Sequence, residues 1–141
     1  MLTIIVPVFN EKRFIRSLLR KLINIKGIKK QIIVVDDGST DGTDKILTKE
    51  FKKNKQIDKI FFHQFNKGKG AAIKTAQKYI KGEYVGIQDA DLEYFPKDLI
   101  KIYNYIRKKK LDVVYGSRVL NKNKFQNTKN FRQIQKASKT V

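Results

Sequence analysis

Asp89, Asp91 and Glu93 stand at alternate positions in a chain that has only 13 acidic residues against 32 Lys and Arg. Residues two apart at the end of an extended segment point the same way, so Asp89 and Asp91 can converge, with Glu93 close behind. The chain has no cysteine and a single histidine, His63, so these carboxylates form a hard oxygen donor set. Such a set suits Mg²⁺ or Mn²⁺ shared with substrate phosphates better than zinc or iron. The plainer reading is a surface turn with capping acids. A second crowding of acids, Asp36, Asp37 and Asp41, weighs against that reading in so basic a chain.

Asp37-Gly38-Ser39-Thr40-Asp41-Gly42 has the outline of a calcium loop. It fails as one, because Thr48 stands where a bidentate Glu is needed and a strand precedes the loop. Asp37 is better suited to accept hydrogen bonds from a nucleobase or ribose, with Thr40 or Asp41 capping the helix that follows. Gly68-Lys69-Gly70 opens another helix and offers N–H groups and a cation to an anion. It matches neither the Walker pattern nor the full dinucleotide fingerprint, since Ile73 occupies the third glycine's place. A tight turn explains the glycines equally well. No nucleophilic triad is visible, and His63, in an apolar strand, reads as a satisfied structural histidine.

The elements that must position these residues follow from periodicity. Leu2 to Val6 and Gln31 to Val35 are β-branched and apolar, as in strands buried on both faces. Lys59 to His63, Tyr84 to Gln88 and Asp112 to Tyr115 supply three more strands. Between them lie helical patterns: Phe14, Ile15, Leu18, Leu19, Leu22 and Ile23; then Ile46, Leu47 and Phe51; then Ala71 to Ile80; then Leu99 to Ile106 after Pro96. Alternation of this kind predicts an α/β fold, an open and mostly parallel sheet with helices on both faces. With a strand order beginning 3-2-1-4, the loops at Pro7–Glu11, Asp36–Asp37 and Asp89–Asp91 would line one crevice at the carboxyl ends of the strands. Beyond Arg118 the chain turns polar and basic, and its isolated Phe125, Phe131 and Ile134 read as a weak helix or a mobile segment.

Composition narrows the classes. A chain of 141 residues makes one domain, residues 1–120, followed by a basic tail over 121–141 that either stands alone or opens an incomplete acceptor-binding region. Absence of cysteine excludes disulfide frameworks, zinc ribbons and cysteine nucleophiles and fits a reducing cytoplasm. The longest apolar run, Leu2 to Phe9, is too short to cross a bilayer and has no basic leader before it, so neither export nor spanning is expected. The net charge of +19 would suit an anionic membrane surface or a polyanion, although lysines spread over nearly every segment read as general bias. Specific nucleic-acid binding is not expected, because aromatic residues do not interleave with the basic ones.

Taken together, Ile4-Ile5-Val6-Pro7-Val8-Phe9-Asn10-Glu11, Val34-Val35-Asp36-Asp37-Gly38-Ser39-Thr40-Asp41-Gly42-Thr43, Asn66-Lys67-Gly68-Lys69-Gly70, Gln88-Asp89-Ala90-Asp91-Leu92-Glu93 and Val114-Tyr115-Gly116-Ser117-Arg118 resemble the family 2 glycosyltransferases of the GT-A fold. The nearest likeness is to polyprenyl-phosphate sugar transferases such as dolichyl-phosphate mannose or glucose synthases. It covers residues 1 to about 120, the donor-binding part of that family. The resemblance implies that Pro7, Phe9, Glu11 and Asp37 hold the base and ribose of a UDP- or GDP-sugar, with Lys69 near the donor. It implies that Asp89, Asp91 and Glu93, the family's DxD region, hold Mg²⁺ or Mn²⁺, and that Arg118 meets the acceptor's phosphate, so that Asp91 and Arg118 carry the catalysis. Transfer with inversion to a polyprenyl phosphate, at the inner face of the membrane, is the activity it implies. The alternatives are a sugar-nucleotide-binding fragment without turnover and a basic polyanion-binding module. A nucleotidyltransferase would need a glycine-rich basic signature where Glu11 follows a proline turn.

Overall fold

The computed structural model describes residues 1–91, 96–116 and 132–136. In chain order its elements are β1 (Leu2–Val8), α1 (Ile15–Ile23), β2 (Lys30–Asp36), α2 (Thr43–Ile46), β3 (Lys59–Phe62), α3 (Lys69–Gln77), β4 (Tyr84–Ile87), α4 (Pro96–Lys109), β5 (Val113–Gly116) and β6 (Arg132–Lys136). A wider π-type turn over Leu47–Phe51 prolongs α2. The five expected strands are all present, to within two residues at their ends, and a helix stands in each expected place, α2 starting three residues before Ile46 and α3 stopping at Gln77, short of Ile80.

β1 owes its central place to being apolar on both sides. Its alternate residues Leu2, Ile4, Val6 and Val8 join Ile32 and Val34 of β2 in a core closed by Leu18, Leu19 and Leu22 of α1 and by Leu99, Tyr103 and Ile106 of α4. The opposite face is thinner: Ile5, Ile33, Val35 and Val85 pack against Ala72 and Ala76 of α3. The small alanines let α3 approach the strands closely, and helices do cover both faces as the alternation implied.

The sheet runs β3-β2-β1-β4-β6-β5. β1, β2, β3 and β4 are parallel, with Leu2 opposite Lys30 on one side and opposite Tyr84 on the other. After β1 the chain builds outward through β2 and β3 and then returns to β4 on β1's other side. This reversal opens a crevice beyond the carboxyl ends of β1 and β4, where Gln88 continues the ladder with its N–H donated to Ile5 O at 2.9 Å.

One expectation is overturned. The stretch Arg132–Lys136 forms a strand antiparallel to both β4 and β5, where a weak helix or mobile segment was expected. Arg132-Gln133-Ile134-Gln135-Lys136 has one apolar residue, too few for alternation to announce a strand. Two backbone edges decide it, since β6 satisfies the open sides of two short strands at once.

Candidate functional site

The loops after β1 and β2 are stitched together by short polar side chains. The N–H of Asp37 donates to Val8 O at 2.8 Å, holding the two strand ends in step. Asn10, at φ 55°, donates its N–H to Ser39 Oγ at 2.9 Å and accepts the Thr40 N–H on Oδ1 at 2.8 Å. The N–H groups of Glu11 and Lys12 then donate to Thr43 Oγ1 and Asp41 Oδ2, each at 3.0 Å. Asp41 also accepts the Thr43 N–H at 2.9 Å, but Gly42, and not Thr40 or Asp41 as expected, is the residue that caps α2. These bonds fix where the Glu11 carboxylate emerges.

Successive residues at a strand end face opposite ways, and Asp36 and Asp37 divide accordingly. Asp36 is buried and accepts the Ser39 hydroxyl; burial pushes its carboxyl up from the usual range despite that bond. Asp37 turns toward the crevice. It accepts His63 Nδ1–H at 2.6 Å and the Lys67 N–H at 3.0 Å on Oδ1, and the Gly68 N–H at 2.8 Å on Oδ2. A carboxylate only accepts, so Nδ1 must carry the proton; a neutral ring then takes the Thr75 hydroxyl on Nε2, at 2.9 Å. Three of roughly four lone-pair directions are used, which leaves one on Oδ2 for a ligand.

Burial alone would raise the Asp37 carboxyl, but the Lys67 N–H, the His63 ring and the Gly68 N–H together hold it below its ordinary 3.8. Its contribution to stability is therefore present above that ordinary value and is lost as pH falls through the lower folded value. We expect Asp37→Asn to be clearly less stable than the parent at about pH 5, with the gap closing toward about pH 2, as read from urea unfolding midpoints. A gap that stays constant over that window would contradict the assignment.

The crevice is a cleft of about 400 Å³. It is lined by Pro7, Phe9 and Glu11 from the first loop, Asp37 from the second, Asn66 and Lys69 at the start of α3, and Asp89 and Asp91 after β4, with Val8 and Ala90 between them. Seven of the nine residues singled out in the sequence thus meet in one place. The other two, Glu93 and Arg118, lie outside the described residues.

The cleft is crowded with negative charge. Lys69 Nζ lies 2.5 Å from Asp89 Oδ1. The Glu11 carboxyl is raised above its usual range, first by burial and then by the charges of Asp91, Asp41 and Asp89. Among the described residues no three acidic or histidine side chains form a cage that could hold a metal ion by themselves. Mg²⁺ and Mn²⁺ do not need one when phosphate oxygens complete the shell, because one or two carboxylates then suffice. The hard donors Asp89 and Asp91, and the surplus charge felt by Glu11, fit such an ion.

Sequence reasoning left out two residues that act here. His63 was read as structural, and it is indeed satisfied, yet the bond it makes orients Asp37. Asn66 lines the cleft and accepts the Gly68 N–H at 3.0 Å. Being the sole histidine and standing just ahead of a glycine turn were the signals available.

The glycosyl transferase family 2 model matches residues 3–140. The chain belongs to glycosyl transferase family 2. The dolichyl-phosphate beta-glucosyltransferase of Saccharomyces cerevisiae is 33% identical over 115 residues, covering 76% of this chain and 34% of that protein. Its counterpart in Dictyostelium discoideum is 34% identical over 129 residues, covering 83% and 39%. Among solved structures, the mannosyltransferase PcManGT from Pyrobaculum calidifontis in complex with GDP-Man and Mn²⁺ superposes with a TM-score of 0.71 at 26% identity, over 82% of this chain and 35% of that one. S. aureus TarS 1–349 in complex with UDP-GlcNAc gives 0.69 at 26%, over 89% and 37%. This family 2 chain therefore has the GT-A fold, and it spans half or less of the curated relatives it matches.

Proposed function

We propose that this family 2 chain binds a nucleotide diphosphate sugar in the 400 Å³ cleft and transfers the sugar, with inversion, to a polyprenyl phosphate. The observation that carries the reading is the meeting of Asp89 and Asp91 from β4 with Glu11 and Asp37 from the loops after β1 and β2. Pro7, Phe9, Glu11 and Asp37 hold the base and ribose, with the free lone pair of Asp37 taking a donor from the ligand. Asp89 and Asp91, with Glu93, hold Mg²⁺ or Mn²⁺. When bound, the ion supplies Lewis-acid stabilisation of the charge that develops on the leaving diphosphate. Lys69, which pairs with Asp89, would face that same diphosphate if the carboxylate held the metal.

A phosphate acceptor is anionic at neutral pH and needs no base to deprotonate it. Alignment and charge compensation are what it requires, and Arg118 meets its phosphate. One phosphate oxygen attacks the anomeric carbon from the face opposite the diphosphate; the new C–O bond forms as the old one breaks, and the nucleoside diphosphate leaves with the electron pair. Residues 1–120 form the donor-binding domain, and β6 from the 121–141 segment adds to its sheet. The chain works peripherally at the cytoplasmic face of a membrane. Support for the acceptor comes from the dolichyl-phosphate relatives, and support for the donor class from the GDP-Man and UDP-GlcNAc bound by the structural neighbours.

Calorimetry with UDP-, GDP- and other sugar nucleotides, with and without Mn²⁺, tests the reading, followed by transfer to a short polyprenyl phosphate. Metal-dependent binding of one donor is expected. Binding without transfer would assign this chain donor recognition alone, and no binding of any donor would remove the proposal.

A further inference from the structure

A larger concavity, about 800 Å³, lies between α1 and the start of α4, on the α1 side of the sheet. Arg13, Arg16, Arg20, Lys21, Lys26 and Lys97 line it, and among the described residues no acidic one does. Its floor is apolar, formed by Ile25, Pro96 and Ile100. Glu50 stands beside it and takes Arg16 at 2.6 Å and, more loosely, Arg20 at 3.8 Å. The groove is thus a local concentration of the chain's positive charge, although the sequence suggested an even spread. The donor cleft does not include these side chains.

We propose that this groove docks the chain on a bilayer of anionic phospholipid. The cations follow the whole length of α1, about 14 Å, which is too long an array for one phosphate and suits a surface of many. Long Lys and Arg stems can lie along the apolar floor while their heads reach lipid phosphates, an arrangement suited to a wet and greasy boundary. Among the described residues no aromatic side chain lines the groove, whereas single-stranded nucleic acid is held by stacking on such side chains. Residues near in sequence line the two sites: Glu11 the cleft and Arg13 the groove, Asp91 the cleft and Pro96 the groove. A membrane held by the groove would therefore lie beside the cleft. The proposal goes beyond donor binding and stands if no sugar nucleotide binds.

Vesicle sedimentation with the full chain tests it, using phosphatidylcholine alone and phosphatidylcholine with phosphatidylglycerol. Binding is expected only to the second, weakening with salt. Arg13→Glu with Lys26→Glu is expected to lower that affinity about tenfold or more, since each basic residue near an anionic surface contributes appreciably. Lys74→Glu with Lys78→Glu, the same charge change on α3 and its C-terminal cap across the sheet, is expected to lower it less than about threefold. Should the groove pair unfold the chain, seen by thermal melting, Arg13→Gln with Lys26→Gln replaces it. Equal losses from both pairs, equal binding to neutral vesicles, or tighter binding to duplex DNA with the same groove dependence would each overturn the proposal.

Discussion

Asp89→Asn combined with Asp91→Asn is expected to abolish Mn²⁺-dependent binding of the sugar nucleotide, a loss of about 100-fold or more. Changes to groups merely supporting a metal ligand cost 10–100-fold in typical sites, so removing both carboxylates should cost at least the upper end. The fold should survive, because Asp89 is 37% exposed and both residues lie beyond the end of β4. Titration calorimetry and electron paramagnetic resonance of added Mn²⁺ read the loss directly, and an unchanged melting temperature shows that the cleft has not collapsed. Lys69, freed from Asp89, would still face the diphosphate, so weak metal-independent binding should remain. Undiminished Mn²⁺ binding in the double variant would place the ion elsewhere and remove the catalytic reading with it.

Gly38→Ala should be the most damaging single methyl group in the cleft region. Gly38 has φ +74°, and an added Cβ would lie 2.5 Å from the Phe65 carbonyl carbon and 2.7 Å from the Asn66 nitrogen. These are backbone atoms of the loop that supplies the Lys67 and Gly68 N–H groups to Asp37, so no side chain can swing away to relieve the clash. The left-handed conformation costs about 1–2 kcal/mol and overpacking about 1–3 kcal/mol more, together about 2–5 kcal/mol. For a domain of this size the melting temperature should fall by roughly 10 °C. Gly70→Ala is the control: Gly70 is within α3 and a Cβ there meets nothing within 4 Å, so a small gain is expected. A Gly38→Ala melt within about 2 °C of the parent would show that the loop yields more readily than its contacts imply.

Much of the site was legible because its residues advertise themselves locally. Pro7, Phe9 and Glu11 follow an apolar strand, Asp37 follows another, and Asp89 and Asp91 follow a third, so strand ends alone assemble the cleft once the sheet is parallel. Partnerships at long range were not legible. His63 lies 26 residues from Asp37 and Gly68 lies 31, and nothing in either segment's periodicity names the other. The role of Lys69 shows the same limit: a glycine-flanked lysine suggested an anion, and its neighbour in the structure is the Asp89 carboxylate.

From the order of residue types alone come the alternation of strands and helices, the buried character of β1 and β2, the family motifs and the acids at strand ends. Each is set by side chains within a few residues of one another, through the twofold and 3.6-fold periods of strand and helix. Only the folded chain decided that Asp37 meets His63 and the Gly68 N–H, that β6 slots between β4 and β5, and that six scattered cations close around one groove. Those outcomes depend on backbone edges and helix faces brought together from distant segments. Short-range periodicity holds no record of that meeting.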